Sequence, residues 1–297
     1  MIDTWILFSL AAVVFQTARF MLQKVLANTG LSAAGATFAR FVYSAPAVWI
    51  AALVILPEWP TLGATFWPYA IAGALSQIMA TVCVVLVFQT RNFAVGITLK
   101  KTEVLLTVLV GILILGEGVS WPAFAAMVLG VIGVLLLSDP PKVPGGGLLA
   151  LLKSRAVVLG LISGTFFAVS AVTYRGATLQ VEAEPALRAL ITMSGVLGVQ
   201  LIALGGWLML REPGEVTRVA IAWRRAIWIG VTSLGGSYCW FVAFTLKNAA
   251  YAFAVGQVEV ILSLVVSVFF FHETFTRKEG VGIALISLSV LVLIAVA

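Results

Sequence analysis

Two stretches of the chain, TEVLLTVLVGILILGE (Thr102 to Glu117) and VEVILSLVVSVFFFHE (Val258 to Glu273), each hold one acid within an otherwise lipid-soluble run. A second acid follows fourteen residues later in both. A carboxylate at membrane depth is costly, and where one persists it faces a partner, a polar cavity or a transport path. Glu103 and Glu259 at matching places therefore predict a duplicated unit with a shared buried site.

Lys100, Glu103 and Thr107 share one helical stripe at spacings of three and four, so Lys100 and Glu103 can pair along the helix. Lys101 is turned about 200° from Glu103 and must find a different environment. The cluster reads either as a binding site or as a structural ion pair with lysines snorkelling toward a membrane surface. Glu259 has no basic neighbour, because Gly256 and Gln257 stand where Lys100 and Lys101 stand in the other copy. It must be protonated, or matched across helices by Arg188, Arg40 or another cation. A proton-coupled role and a structural interhelical bond are both open.

Gln16, Arg19 and Gln23 form a second polar stripe, readable as a cavity wall or as a snorkelling arginine with polar neighbours. Arg40 and Arg188 lie near the start of corresponding spans, where orienting and structural roles compete with substrate binding. Among the aromatics near this region (Tyr43, Tyr174, Tyr238, Trp240, Tyr251), Tyr238 and Trp240 sit deepest inside a span, and the others read as interfacial anchors. Glu117 and Glu273, at helix exits, read as solvated loop acids or caps. Gly130, Gly133, Gly160, Gly164, Gly195 and Gly198 read as points of close helix approach.

The elements that must position these residues follow from composition. The chain has 297 residues, 62% hydrophobic and 10% charged, with mean hydropathy +1.12. A water-soluble protein of this size could not cover that much apolar surface, and runs of about 20 apolar residues recur throughout. An all-α integral membrane protein is the expected class. Ten helices are expected, at about Thr4–Ala27, Leu31–Leu56, Phe66–Gln89, Phe93–Leu115, Ser120–Ser138, Ala156–Leu179, Pro185–Leu210, Ala226–Leu246, Ala249–Phe271 and Gly280–Ala297. The N-terminal MIDTWILF has no basic run before it, so the first span reads as retained.

A shift of 156 residues superimposes Cys83 on Cys239, Asn92 on Asn248, Glu103 on Glu259 and Glu117 on Glu273. The segment SDPPKVPGGG marks the midpoint, giving residues 1–138 as one five-helix repeat, 139–155 as a linker and 156–297 as the second. An odd number of spans per half makes the halves inverted, with a site at their interface near the midplane, suited to alternating access. With the N-terminus outside, Lys24, Arg91, Lys142, Lys153, Arg155, Arg211, Arg218, Arg224, Arg225, Arg277 and Lys278 fall at the cytoplasmic side, which the positive-inside rule favours.

The net charge of +6 and pI near 9.6 come without a basic block interleaved with aromatics, so nucleic acid is not an expected partner. Cys83 and Cys239 lie in apolar runs with no CxxC or His neighbour, and one histidine, no HExxH, no GxSxG and no P-loop leave no enzyme, metal or cofactor signature. The expected partners are a small-molecule substrate, the lipid bilayer and a proton as coupling ion. One chain is enough to enclose a path, with a dimer not excluded.

The matched segments resemble the drug/metabolite transporter superfamily, EamA-type, whose repeat ends in a stretch such as EPxxxxxxxxxLGE before a Gly-rich final span. Here the copies read EVLLTVLVGILILGE followed by GVSWPAFAAMVLGVIGVLLL, and EVILSLVVSVFFFHE followed by a span from Gly280; Arg40-Phe41 matches the second-span pattern. Val104 and Val260 replace the usual helix-interrupting proline, and His272 replaces a glycine. The resemblance implies a secondary transporter, an exporter of small organic metabolites such as amino acids or organic anions, in the bacterial inner (plasma) membrane with both termini cytoplasmic. The intramembrane cations Arg19, Arg40, Lys100, Lys101 and Arg188 outnumber the acids Glu103 and Glu259, which would suit a substrate carboxylate. The alternative from another class is a membrane-embedded enzyme or lipid-handling protein using the same buried charges.

Overall fold

Backbone surrounded by hydrocarbon has no water to bond, so each apolar run satisfies its amides internally as a helix. The computed structural model describes residues 3–27, 30–56, 58–88, 100–137, 155–262 and 277–297. Among them the helices are α1 Thr4–Ala27, α2 Ala33–Ile55, α3 Phe66–Phe88, α4 Glu103–Leu115, α5 Trp121–Leu137, α6 Arg155–Thr178, α7 Pro185–Arg211, α8 Glu215–Ile221, α9 Trp223–Leu246, α10 Ala249–Val255 and α11 Arg277–Val296; none of these residues is in a strand. Among the described residues six helices (α1, α2, α3, α6, α7 and α9) are long and apolar enough to cross a bilayer, and shorter apolar helices lie at Glu103–Leu115, Trp121–Leu137, Ala249–Leu262 and Gly280–Val296. Glu273, His272, Asn92, Arg91, Lys142, Lys153 and the start of the fourth expected span lie outside the described residues, as does the side chain of Lys24.

Local signals set the ends. The Ser32 hydroxyl caps α2 by accepting from the Gly35 N–H at 2.9 Å, and the Asn248 side-chain Oδ1 caps α10 by accepting from the Ala250 N–H at 2.9 Å. Pro185 opens α7 at the helix start, where its missing N–H costs nothing. Gly116 closes α4 at φ +69°, a left-handed conformation that a side chain would strain. One element differs from expectation: REPGEVTR, read as a loop, contains the start of the short helix α8.

The most extensive packings all join one half of the chain to the other. α3 runs along α6 and α1 along α9; α5 meets α11, and α2 meets α7; α4 lies on α6 and α10 touches α1. Each pairing has a counterpart with the halves exchanged, the pattern of a twofold relation between the two halves. Small residues bring the backbones together: a Cβ on Gly133 would lie 2.9 Å from the Gly282 carbonyl oxygen, and one on Gly73 would lie 2.6 Å from the Tyr174 ring. The opposite surface is apolar, with Leu53, Val54, Leu113 and Ile202 all about three-quarters exposed. Such a surface is stable against acyl chains and not against water.

The helices carrying the two acids are interrupted at corresponding places. Lys101 and Thr102 form a turn before α4, and Gly256 and Gln257 form one after α10, beyond which residues 258–262 are helical again. Val104 N–H donates to the Lys101 carbonyl at 3.4 Å and Val260 N–H to the Gln257 carbonyl at 3.0 Å, three residues back rather than four. The break therefore persists without the proline. Each acid stands in the first turn of the helix that follows, where the positive end of the helix dipole favours a carboxylate.

Candidate functional site

The two breaks meet at the core. Lys101, turned away from Glu103 by helical geometry, reaches across and forms an ion pair with Glu259 of the other half; both side chains are buried. Lys100 pairs within its own half, Nζ to Glu103 Oε1 at 3.1 Å, and lies over the rings of Phe20 and Phe167 at 5.3 and 4.4 Å. Thr107 donates to the Glu103 carbonyl at 2.6 Å. Gly164 lets α6 approach this turn, since a Cβ there would sit 2.8 Å from the Lys100 carbonyl oxygen.

Gln16 on α1 connects the ion pair to a cavity. Its Nε2 donates to Glu259 Oε2 at 2.9 Å, and its Oε1 accepts from Trp240 Nε1 at 3.1 Å and from Arg19 Nη2 at 3.5 Å. These bonds orient the amide, because the side receiving N–H groups must be oxygen. Arg19 also lies over Phe20 at 4.8 Å, and its Nε has no hydrogen-bond partner among the described residues. Arg40 is held by three hydroxyls from two other helices: Ser233 at 2.7 Å and Ser237 at 3.1 Å on α9, and Thr81 at 3.0 Å on α3. Among the described residues no carboxylate lies within ion-pair distance of Arg19 or Arg40.

The cavity between them is walled by α1, α2, α3, α6, α7 and α9, with Phe253 of α10 closing one side. Its polar wall is Gln16, Arg19, Arg40, Gln77, Gln200 and the serines of α9; its apolar wall includes Phe241, Phe244 and Phe253. Trp240 stacks on Phe244 at 5.5 Å, and Tyr174 on Phe241 at 4.5 Å, so the aromatic wall is packed ring against ring. The space open to water-sized molecules is about 40 Å³. One water needs roughly 10–15 Å³, so the cavity in this conformation has the scale of a few waters.

The structure thus brings Gln16, Arg19, Arg40, Lys101, Glu259 and Trp240 into one connected region, with Lys100 and Glu103 beside it. Arg188 and Tyr238 lie elsewhere. Arg188 is half-buried at the mouth of α7 and donates to the Ala183 carbonyl at 2.6 Å. The half-buried Tyr238 turns its hydroxyl toward the Ala186 carbonyl at 3.4 Å. Glu117 is more than a loop acid: it accepts from Arg175 Nε at 2.7 Å, while Arg175 Nη1 donates to the Phe244 carbonyl at 2.6 Å at the end of α9.

Several cavity residues were not singled out from the sequence. Tyr174, placed among the interfacial anchors, is buried in the wall and its hydroxyl accepts from Gln200 at 3.1 Å. Gln77 and Thr81 on α3, and Ser233 and Ser237 on α9, are polar pairs four residues apart in apolar helices. That spacing was the available signal.

A fold of two packed helical halves, apolar outside and carrying a charged, hydroxyl-lined cavity at their junction, defines a polytopic membrane protein of transporter type. The sequence profile of the EamA-like transporter family matches residues 3–139 and again 154–295, and the chain belongs to that family. No curated protein matches. Among solved structures, one crystal structure superimposes with a TM-score of 0.72, at 14% identity, over 98% of this chain and 96% of its own. At that identity the likeness shows the fold.

Proposed function

We propose that the protein is a secondary transporter, an exporter of small organic metabolites bearing an anionic group, such as amino acids or organic acids. The observation that carries this reading is the lining of the central cavity among the described residues: two buried guanidiniums, no carboxylate, and an aromatic wall. In and beside the cavity, among the described residues, Arg19, Arg40, Lys100 and Lys101 are four buried cations against two buried acids, Glu103 and Glu259, an excess of two. A substrate carboxylate would offset part of that excess, whereas a cationic substrate would add to it. Arg19 and Arg40 are its proposed anchors, with Gln16 and Trp240 fixing orientation. Arg188 and Tyr238 have no proposed substrate contact.

Ten crossings in two inverted five-helix repeats, residues 1–138 and 156–297 joined by 139–155, are proposed to rock about the cavity. The contraction of the cavity to the scale of a few waters supports this: a metabolite enters only if the helices that wall it part. Lys101–Glu259 bridges the halves and is the proposed proton-sensitive contact, since protonating Glu259 would release the bridge without unfolding either half. For orientation, the end holding Arg155, Arg211, Arg218, Arg224, Arg225, Arg277 and Lys278 is proposed as cytoplasmic. The end holding Asp3, Glu58, Glu117, Glu182 and Glu184 then faces outside with both termini, contrary to the orientation the family resemblance implies.

Uptake of labelled amino acids and organic acids into proteoliposomes tests the reading. Arg19→Gln and Arg40→Gln are expected to lower the rate at least tenfold while the protein remains folded, and an inward pH gradient is expected to drive flux that Glu259→Gln uncouples. Preference for organic cations would overturn the anion reading. Chemical conversion of the compound, in place of its movement, would favour the membrane-embedded enzyme.

A further inference from the structure

A second cavity, far from the first, lies at the arginine-rich end between the start of α2 and the α8–α9 corner. It has a volume of about 420 Å³ and is lined by Gly30, Leu31, Arg218, Ile221, Ala222, Arg224 and Arg225. That volume is within the roughly 300–1,000 Å³ of small-molecule sites. We propose that it is a headgroup site for an anionic phospholipid of the surrounding leaflet.

The cavity is built and held, not a chance gap between loops. Glu215, the first residue of α8, is fully buried, and its Oε1 accepts from the Ser32 N–H at 2.6 Å at the cap of α2. Gly35 makes room for it, since a Cβ there would lie 2.0 Å from the carboxylate. The Gly214 turn, at φ +86°, aims α8 back toward α2. Arg218, one turn along α8, pairs with Glu215 at 2.6 Å, so this carboxylate both anchors the helix and positions one guanidinium at the rim.

Arg224 and Arg225 differ from Arg218. Both are exposed, and among the described residues neither has a carboxylate within ion-pair distance; Arg224 lies over the Trp223 ring at 5.6 Å. Two uncompensated guanidiniums beside a third at one small cavity select an anion, and arginine's planar fork matches phosphate.

The surroundings fix the source of that anion. Ile221, Trp223 and Trp228 are 76%, 51% and 60% exposed next to the rim, at the end of a membrane-spanning helix. Tryptophans in that position sit at headgroup level. Leu31 and Ile221 give the cavity an apolar side that suits the glycerol and upper acyl region and offers nothing to a soluble phosphate. Basic pockets at the membrane interface capture lipid headgroups in this way.

Native mass spectrometry of the full-length protein, purified in detergent and offered an equimolar mixture of phosphatidylglycerol and phosphatidylcholine, tests the proposal. The expected result is preferential retention of phosphatidylglycerol, which Arg224→Gln/Arg225→Gln lowers roughly 10- to 30-fold. Ala222→Trp keeps every charge but fills the cavity, and is expected to abolish the preference as well. Arg277→Gln/Lys278→Gln removes two cations from the same end outside the cavity and is expected to leave it intact. Equal loss in both double variants, or no preference in the parent protein, overturns the proposal. Displacement of the lipid by equimolar soluble glycerol phosphate would make this a phosphate site and overturn the lipid assignment. Thermal unfolding in detergent checks that each variant is folded, and if Ala222→Trp is not, the two double variants still decide.

Discussion

The two acid-bearing breaks occupy equivalent places and resolve the same electrostatic problem differently. Glu103 is paired inside its own half, by a lysine three residues away on the same stripe. Glu259 has glycine and glutamine at the equivalent places and takes its cation from the other half. A local pair survives any movement of one half against the other. A cross-half pair exists only when the halves are docked as seen here. The duplicated sequence thus yields one structural contact and one contact able to report the relative position of the halves, because the lysines were not duplicated with the acids.

The sharpest break in this comparison is Lys101→Met. It leaves Glu259 buried with Gln16 but without its lysine, and is expected to cost about 3–5 kcal/mol, read as thermal unfolding in detergent. Adding Glu259→Met is expected to recover most of that loss, since a well-packed apolar pair is close to neutral. A full loss that the second substitution does not recover would mean that Lys101 acts through something other than this pair.

Gln16→Leu comes next. It removes the acceptor for Trp240 and Arg19 and the donor to Glu259, three buried bonds, for an expected loss of about 1–3 kcal/mol. Substrate affinity is expected to fall with it, whereas Lys100→Gln should change stability and leave affinity within about threefold. Measuring both parameters for both variants separates the acid site that touches the cavity, at Glu259, from the one that does not, at Glu103.

Arg175→Gln probes the end clamp, a partly exposed pair with Glu117 that also holds the end of α9. The expected loss is about 1 kcal/mol, shrinking in high salt. Smallest of all is the restoration of the family's proline. Val104→Pro gives up a 3.4 Å backbone bond at an existing break, so its expected cost is at most about 1 kcal/mol, and Val260→Pro, with a 3.0 Å bond, should cost more. A collapse of Val104→Pro would show that the first break depends on that N–H.

Much of this was legible in the residues. Apolar run length fixed the helical class, and the boundaries of α1, α3 and α7 follow those runs to within a residue or two. The 156-residue shift located the two acids, and helical periodicity paired Lys100 with Glu103 and excluded Lys101 from that pair. The helix α8 was hidden because seven residues between a proline-glycine turn and a long span carry too little pattern to show. Tyr174 and Tyr238 could not be sorted by depth, since depth along a helix does not say which face turns toward the cavity.

From the chain alone come the membrane class, the doubled unit, the two buried acids and every contact between residues three or four apart, because the helix repeat sets those distances without outside help. Which cation meets Glu259, why Arg40 enters the cavity while Arg188 stays at a helix mouth, and how hydroxyls from two other helices converge on one guanidinium were decided by the docking of the halves. Those contacts join residues between about 40 and 200 positions apart. Their geometry depends on how glycines let particular backbones approach, and no periodicity within a single helix carries that information.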